Sequence, residues 1–455
     1  MVRALIFRLS IVVVAALLST TGSPAAALTR PSVDGVPPAR DAAPAPSEPA
    51  EQRSLCAVPT AVGRVAAPAA SVLLNLPAAW QFSRGRGQTV AVIDTGVTPH
   101  PRLPRLRAGG DYVSNGDGLS DCDAHGTVVA GIIAATTSSA DSYGGVAPES
   151  TVLSIRQSSG AYASKTSRRD EPTLGGGVGT VRTLASAVMR AVELGATVIN
   201  ISEVACARDA RSLNDAALGA AVKYAYDHNV VVVAAAGNLS SSGACREQNP
   251  ASIPGREWDS VVTVASPAWF APYVLTVGSV DSASGAPSGF SLHGPWVSVA
   301  APGTDIVGLS SLRRGPTLIN ALQSDDGPVP INGTSFAAPY VAGTVALVRA
   351  RFPELTAAQV MARITATAHA AGGVDDQVGA GVVDPVAALT NVLPDESSGA
   401  PSRRPIAAPS TPTPEDPWLR RSALIGAGAA VCLVLAIVGL ALPHRRVRRL
   451  GQDEF

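Results

Sequence analysis

Four polar residues stand at the ends or beginnings of apolar runs, and their types suit acyl-transfer chemistry. Asp94 ends the run TVAVID, and Asn238 follows VVVVAAAG. His125 opens HGTVVAGIIA, and Ser335 precedes FAAPYVAG. A serine hydroxyl becomes a useful nucleophile only beside a base, which a carboxylate orients, while an amide N–H can stabilise the oxyanion that forms. The four residue types together predict a serine nucleophile with its supporting groups.

Each of these residues also has an ordinary structural explanation. A serine after Gly-Thr is typical of a helix start, and an aspartate before Thr-Gly commonly opens a turn. His125 fits a capped or solvated position before a helix, and Asn238 fits a left-handed turn after Gly237. All four nevertheless fall at strand ends or helix starts, where an open α/β sheet presents its ligands. Their occurrence together in one order favours the catalytic interpretation.

The segments that carry these residues predict alternating strands and helices. The runs TVAVID, TVLSI, TVIN and VVVVAAA are short, continuous and almost wholly apolar, as in parallel strands covered on both faces. Between them lie helical patterns such as GTVRTLASAVMRAVEL and SLNDAALGAAVKYAYDH. Alternation of this kind from about Ala78 to Leu393 predicts an α/β domain.

The motifs VAVIDTGV, HGTVVAGIIA, AAAGN and NGTSFAAPYVAG resemble those of the subtilisin-like serine proteases, in the order acid, base, oxyanion donor, nucleophile. The resemblance covers residues 78–393. It implies a subtilisin-like fold, with a mostly parallel central sheet and helices on both faces. It also implies a catalytic triad of Asp94, His125 and Ser335, with Asn238 in the oxyanion hole. We expect no cofactor and no metal, since no Asp-rich loop of the calcium-binding kind is found.

The two ends of the sequence predict an exported, anchored protein. Residues 1–27 have the basic start, short apolar core and small-residue site of a signal peptide. Residues 422–442 carry no charge and are long enough to span a bilayer, so we expect a single transmembrane helix. Residues 443–455 form a basic tail, which predicts a cytoplasmic C-terminus. A Pro-rich linker at 394–421 would hold the extracytoplasmic protease domain away from the membrane.

Three further segments depart from an ordinary secreted subtilisin. Residues 28–77 are Pro-rich and short for a removable inhibitor, so we expect them to wrap the protease domain. Residues 157–177 and 245–274 look like inserts, which suggests lids or partner contacts. Glu203 stands in NISEVAC, where many subtilisins have Ser-Leu-Gly lining the substrate cleft. Substrate preference therefore does not follow by analogy.

The cysteines indicate two disulfides outside the membrane. Cys432 falls in the predicted spanning segment, and the other four allow three pairings. Cys206 and Cys245 follow strands that leave the same edge of the sheet, which favours Cys206–Cys245. Cys56 would then pair with Cys122, close to His125, and strap the N-terminal segment across the face that carries the base.

The order of these segments resembles the mycosins, membrane-anchored subtilases of actinobacterial type VII secretion systems. The resemblance implies an inner-membrane location beside the secretion complex and protein or peptide substrates exported by it. Two functions stay open: a serine endopeptidase acting on those substrates, and a structural subunit of the complex whose proteolysis is regulatory or dispensable. Nucleic acid is not an expected partner, because 35 basic and 35 acidic residues balance to zero formal charge.

Overall fold

The computed structural model describes most of the chain up to Leu393. The described ranges are 30–39, 43–61, 68–166, 173–174, 177–240, 245–250, 258–314, 317–369 and 374–393. The predicted signal peptide, linker, transmembrane helix and basic tail lie outside them. None of the helices in these ranges has the length and apolar composition of a membrane span.

The described elements alternate between strands and helices, as the sequence predicted. The strands are β1 (Ala50–Gln52), β2 (Pro59–Thr60), β3 (Thr89–Asp94), β4 (Leu106–Asp111), β5 (Thr151–Arg156), β6 (Tyr162–Ser164), β7 (Val198–Ile201), β8 (Ala205–Ala207), β9 (Val231–Ala235), β10 (Val264–Ser266), β11 (Val274–Val280), β12 (Val297–Pro302), β13 (Gly308–Leu309), β14 (Leu318–Ile319), β15 (Ala321–Ser324) and β16 (Gly327–Pro330). The helices are α1 (Ala69–Leu73), α2 (Leu76–Ala79), α3 (His125–Ala134), α4 (Val181–Glu193), α5 (Ala216–Asp227), α6 (Thr334–Arg351), α7 (Ala357–Ala366) and α8 (Pro385–Thr390), with a 3₁₀ turn at Ala210–Leu213.

A seven-stranded sheet in the order β12-β11-β9-β7-β3-β5-β4 forms the centre of the protease domain. All its neighbouring strands are parallel. Since side chains alternate along a strand, Val90 and Val92 of β3 join the core under α3, α6, α7 and α8. Ala91 and Ile93 point the other way, into the core under α4 and α5. The predicted mostly parallel sheet with helices on both faces is confirmed.

The N-terminal segment crosses the domain as an extended strap, which we define as residues 43–61. Its strand β1 pairs antiparallel with β6, and β2 adds to the small sheet of β15 and β16. Pro44 packs on Gly110 at the edge strand β4, where a Cβ on that glycine would lie 2.4 Å from the proline ring. A disulfide joins Cys56 to Cys122. The strap is therefore held to the domain by strand pairing and by one covalent bond.

The described parts of both insert segments are packed into secondary structure. In the first, β6 supplies the partner of β1. In the second, β10 pairs antiparallel with β8, and a disulfide joins Cys206 of β8 to Cys245. The Trp269 indole N–H donates to the buried Asp215 carboxylate at 2.8 Å, which ties this segment to the start of α5. These contacts give both segments a structural part in the domain.

Candidate active site

The strand β3 and the helix α3 bring an acid and an imidazole together. Asp94 is fully buried at the end of β3, and its Oδ1 lies 2.7 Å from Nδ1 of His125, the first residue of α3. The N–H of Thr95 donates to the same oxygen at 2.7 Å. The close approach needs a glycine after the histidine, because a Cβ on Gly126 would lie 2.1 Å from the Gly96 carbonyl oxygen. With Nδ1 engaged, Nε2 is the nitrogen left to exchange protons with a substrate group.

The charges around His125 favour its protonated form. Burial lowers the pKa of the imidazole, but the charge of Asp94, the hydrogen bond with it, and the charges of Glu203 and Asp121 together raise that pKa to about 9. The side chain is 22% exposed, so solvent reaches one edge of the ring. The histidine is therefore positioned to take up a proton and hold it as the imidazolium.

A buried carboxylate near this pair, that of Asp121, was not predicted from the sequence as part of the site. Asp121 accepts hydrogen bonds from the Thr127 N–H at 2.8 Å and from the Thr127 hydroxyl at 2.6 Å. The Thr95 hydroxyl donates to it at 2.9 Å and in turn accepts the Gly126 N–H at 3.0 Å. Burial raises the pKa of Asp121 to about 6 against these hydrogen bonds. Asp121 thereby fixes the turn after β3 to the first turn of α3, and so fixes Asp94 relative to His125.

The nucleophile candidate stands at the start of α6, next to the asparagine that the sequence predicted as its neighbour. Asn238 Oδ1 accepts the Thr334 N–H at 2.9 Å and the Thr334 hydroxyl at 3.0 Å. These bonds assign the amide orientation and turn Nδ2 away from Thr334, toward the residues before the helix. A Cβ on Gly333 would lie 3.3 Å from that Nδ2. An amide donor therefore stands beside the backbone that leads into Ser335.

A proline inside α6 frees the carbonyl group of Ser335. Pro339 has no N–H, so it cannot donate to the carbonyl four residues earlier, which is that of Ser335. The Ser202 hydroxyl donates to this carbonyl instead, at 2.8 Å. Ser202 is buried just beyond the end of β7 and also accepts from the Asn200 amide at 2.8 Å. The chain after β7 is thus fastened directly to the nucleophile candidate.

The serine and the histidine lie on the same side of the domain without a hydrogen bond between them. Phe336, which follows Ser335, packs its ring on the imidazole of His125 with centroids 4.8 Å apart. Within the described ranges, His125 is hydrogen-bonded through its side chain to Asp94 and not to Ser335. Such catalytic contacts are often open in ligand-free sites and tighten when substrate binds. The structure therefore brings the predicted acid and base into contact and packs the residue that follows the serine against the base.

A third ionisable group borders the pair. Glu203, which the sequence singled out, presents a carboxylate oxygen within 4.8 Å of ligand atoms on Asp94 and His125, so these three residues form a set that could in principle hold a metal ion. The short bond between Asp94 and His125 Nδ1 instead suits proton transfer. Burial raises the pKa of Glu203, while the charge of His125 lowers it. The only hydrogen bond that its side chain makes with described residues comes from the Ser158 hydroxyl, at 3.3 Å.

Comparison with known proteins gives one family for the whole domain. The model of the Subtilase family matches residues 85–381. Mycosin-4 of Mycobacterium tuberculosis is 47% identical over 453 residues, which cover 97% of this chain and 96% of the relative. Mycosin-1 of Mycolicibacterium smegmatis is 45% identical, with 97% and 99% covered. The similarity therefore extends well beyond the catalytic motifs, across almost the full length of both relatives.

Solved structures give the same result. The MycP3 protease from the type VII (ESX-3) secretion system matches with a TM-score of 0.73 and 47% identity, covering 80% of this chain and all of the other. A chain in the structure of an intact ESX-5 inner membrane complex matches with a TM-score of 0.74 and 43% identity, covering 91% of this chain and all of the other. The arrangement of Asp94, His125, Asn238 and Ser335 thus stands on a fold shared with proteins of this kind.

Proposed function

The chain is a subtilisin-like serine protease that belongs to the mycosins of the subtilase family, and we propose that it cleaves proteins exported by a type VII secretion system. The observation that carries the catalytic part is the 2.7 Å contact between Asp94 and His125 beside the helix that begins with Thr334 and Ser335. The observation that supports the secretion part is the similarity to a chain of the ESX-5 inner membrane complex.

In the proposed mechanism, the Ser335 hydroxyl attacks the scissile carbonyl while His125 takes its proton. Asp94 holds the imidazole in the tautomer whose Nε2 is free and stabilises the imidazolium. The negative oxygen of the tetrahedral intermediate accepts from Asn238 Nδ2 and from the Ser335 N–H. The developing charge also lies at the N-terminus of α6, where the helix dipole favours it. His125 then gives its proton to the leaving amine, and water repeats the cycle to release the acyl product.

The proposed location follows from the segments outside the described residues. Residues 1–27 direct export, and residues 422–442 anchor the protein as a single-pass helix, with residues 443–455 in the cytoplasm. The protease domain, 78–393, then stands outside the membrane on the linker 394–421, with residues 28–77 wrapped on it. Similarity to a chain in a periplasmic assembly of the ESX-5 inner membrane complex supports this arrangement.

A second function, as a structural subunit of the secretion complex, has its own support. The relative within the ESX-5 complex is part of an intact membrane assembly, and the present chain matches all of that relative. A folded protease domain can serve as a docking body whether or not it cleaves. The two functions are compatible, and one substitution separates them.

Ser335→Ala in the full-length protein tests the proposal. We expect kcat to fall by about 10⁶, the size of loss that the same change causes in subtilisin, because no other group supplies the nucleophile. The fold should persist, because loss of a hydroxyl at a helix start costs only ~0.5–2 kcal/mol. Peptide cleavage by the purified protein and secretion in cells deleted for the native gene are the measurements.

Ser186→Ala, a serine change within α4, is the matched control and should cleave normally. Secretion that continues with the Ser335→Ala protein but stops in the deletion strain would support the structural role. Secretion lost equally in both would leave that role without support. Proteolysis that persists in Ser335→Ala would show that another residue is the nucleophile and that this assignment of the site is wrong.

A further inference from the structure

Glu203 lies beside the acid and the base of the proposed active site. It follows Ser202, whose hydroxyl is fixed to the carbonyl of Ser335, so its backbone position is set by the nucleophile candidate itself. Its carboxylate lies within 4.8 Å of groups on His125 and Asp94, and its side chain is half-buried. A peptide whose scissile carbonyl reaches Ser335 therefore runs past the His125 ring and the Glu203 carboxylate.

The surroundings of Glu203 are negative. Asp94, Asp121 and Glu203 all act on the charge of His125, and Asp123 adds to the negative charge felt by Glu203. Within the described ranges, none of these four carboxylates is ion-paired with a Lys or an Arg. Arg156 at the end of the neighbouring strand β5 is buried and faces Asp111 at 3.5 Å instead. Among the described residues, His125 is thus the cationic group that forms an ion pair with this cluster.

The carboxylates also accept fewer hydrogen bonds than they can. An ionised carboxylate has about four acceptor positions. Glu203 receives one long bond, from the Ser158 hydroxyl at 3.3 Å. The Oδ2 atom of buried Asp94 has no partner among the described residues. A cation arriving in the cleft would therefore meet unused acceptor capacity on the half-buried Glu203, while the fully buried Asp94 adds negative charge without contacting it.

We propose that Glu203 is a specificity-determining residue, which makes the protease select peptides carrying a Lys or Arg side chain close to the scissile bond. The long basic side chain reaches the Glu203 carboxylate and forms a charge-assisted hydrogen bond there. This inference rests on the proposed proteolytic function and names the substrate class of the same site. It departs from the usual Ser-Leu-Gly lining, whose leucine position would offer only apolar contact.

The same ion pair couples recognition to the base. In the substrate-free site, Glu203 and Asp94 both stabilise the protonated imidazole. Once a substrate ammonium or guanidinium pairs with Glu203, that carboxylate stabilises the imidazolium less, and His125 releases its proton at lower pH. A basic substrate is then both held and cleaved better at neutral pH than a neutral one. A residue that only supported the fold would not produce this dependence on the charge of the substrate.

Two series of internally quenched octapeptides test the proposal. One series carries Lys at a fixed position and the other carries norleucine there, with equimolar mixtures of amino acids at the remaining positions. Norleucine keeps the apolar stem and removes the charge. In EDTA-containing buffer, we expect kcat/KM for Lys over norleucine to exceed about 10-fold at one position near the cleaved bond. Glu203→Gln should bring this ratio to about 1, and Glu203→Asp should restore part of it. Glu149→Gln, which removes a carboxylate paired with Arg84 and Arg86 outside the cleft, should leave it unchanged.

Binding separates failure of this inference from failure of the proposed function. In the Ser335→Ala background, Lys peptides should bind about 10-fold more tightly than norleucine peptides by calorimetry, and Glu203→Gln should remove the difference. Cleavage without a Lys preference, or a preference that survives Glu203→Gln, overturns the inference and leaves the proteolytic function standing. A Glu203-dependent binding preference in a protein that cleaves neither series keeps the inference and refutes the proteolytic function.

Discussion

The two sides of the catalytic cleft are held in different ways. On the base side, Asp94 and His125 are fixed by a charged, buried network that includes Asp121, and a disulfide ends at Cys122 nearby. On the nucleophile side, the residues around Ser335 are fixed by neutral groups. Asn238 and Thr334 bond to each other, and Ser202 bonds to the Ser335 carbonyl.

This difference predicts how pH and reductants affect the base side and the nucleophile side of the cleft. Ionisable groups respond to pH, and disulfides respond to reductants, while amide and hydroxyl hydrogen bonds respond to neither over the physiological range. The start of α6 is buried in the core, as are most residues of that helix. We therefore expect pH changes, and reduction of the bond between Cys56 and Cys122, to alter the base side while the nucleophile side keeps its geometry.

Among the tests of this difference between the two sides, the largest expected effect comes from removing a disulfide. Closing loops of 66 and 39 residues stabilises the fold by on the order of 4 kcal/mol each in the chain-entropy model. We expect the double change Cys56→Ser with Cys122→Ser to lower both the free energy of unfolding and kcat/KM. The matched double change Cys206→Ser with Cys245→Ser should lower stability to a similar extent and kcat/KM less.

Denaturant unfolding and peptide cleavage measure the two quantities. Only the disulfide between Cys56 and Cys122 ends close to the base in sequence. A larger loss of kcat/KM on removing the Cys206–Cys245 disulfide would therefore contradict the proposed difference between the two sides.

The next effect concerns the amide on the nucleophile side. Asn238→Ala should lower kcat by ~10²–10³ with little change in KM, because the donor acts on the oxyanion that exists only in the transition state. Asn238 also accepts from Thr334, so the alanine variant removes a structural bond as well. Asn238→Asp keeps that acceptor and lacks the amide donor. Steady-state kinetics in which the aspartate variant retained full activity would refute the oxyanion role.

The smallest expected effect is a decrease in the free energy of unfolding as pH rises. This decrease should arise from ionisable groups on the base side alone. His125 has a pKa of about 9 in the folded protein, above its ordinary 6.5, so the folded state binds its proton more tightly. That stabilisation is complete below about pH 6.5 and is lost as pH rises through about 9, by about 2 kcal/mol after allowance for solvent at the ring. Glu203, whose pKa is also raised, changes stability in the same direction.

Urea unfolding of the Ser335→Ala protein between pH 6.5 and 9 measures this change. Adding Asp94→Asn should flatten the dependence, and adding Asn238→Ala should not. Activity should run the other way and rise with pH, because the base must be neutral to accept a proton. An equal flattening by both added substitutions would erase the distinction between the two sides.

The parts of the site that the sequence predicted are those carried by local motifs. Asp94, His125 and Ser335 each stand in a run of eight or more residues whose strand or helix pattern is readable without a partner. Asp121 stands four residues before His125, yet its importance depends on burial against Thr95 and Thr127, which no local pattern shows. Its role could have been suspected only from the density of carboxylates in that loop.

Long-range pairings account for most of the rest. The bond from Ser202 to Ser335 joins residues 133 positions apart, and a buried serine carries no periodic signal of its partner. The strands β1 and β6 have three residues each, too few for an alternating pattern, and they form because the strap is brought beside the first insert. The seven central strands were more predictable, because continuous apolar runs between helices have few alternatives.

The bond between Cys56 and Cys122 makes a closed ring of the intervening chain, and this ring contains Asp94 but not Ser335. A peptide bond cut anywhere inside the ring opens it without liberating a fragment, so the two pieces stay one molecule until the cystine is reduced. The strap then remains beside the domain at an effective concentration on the order of millimolar. A single cut in this stretch adds two chain ends and leaves the mass of the molecule, apart from one added water, as it was.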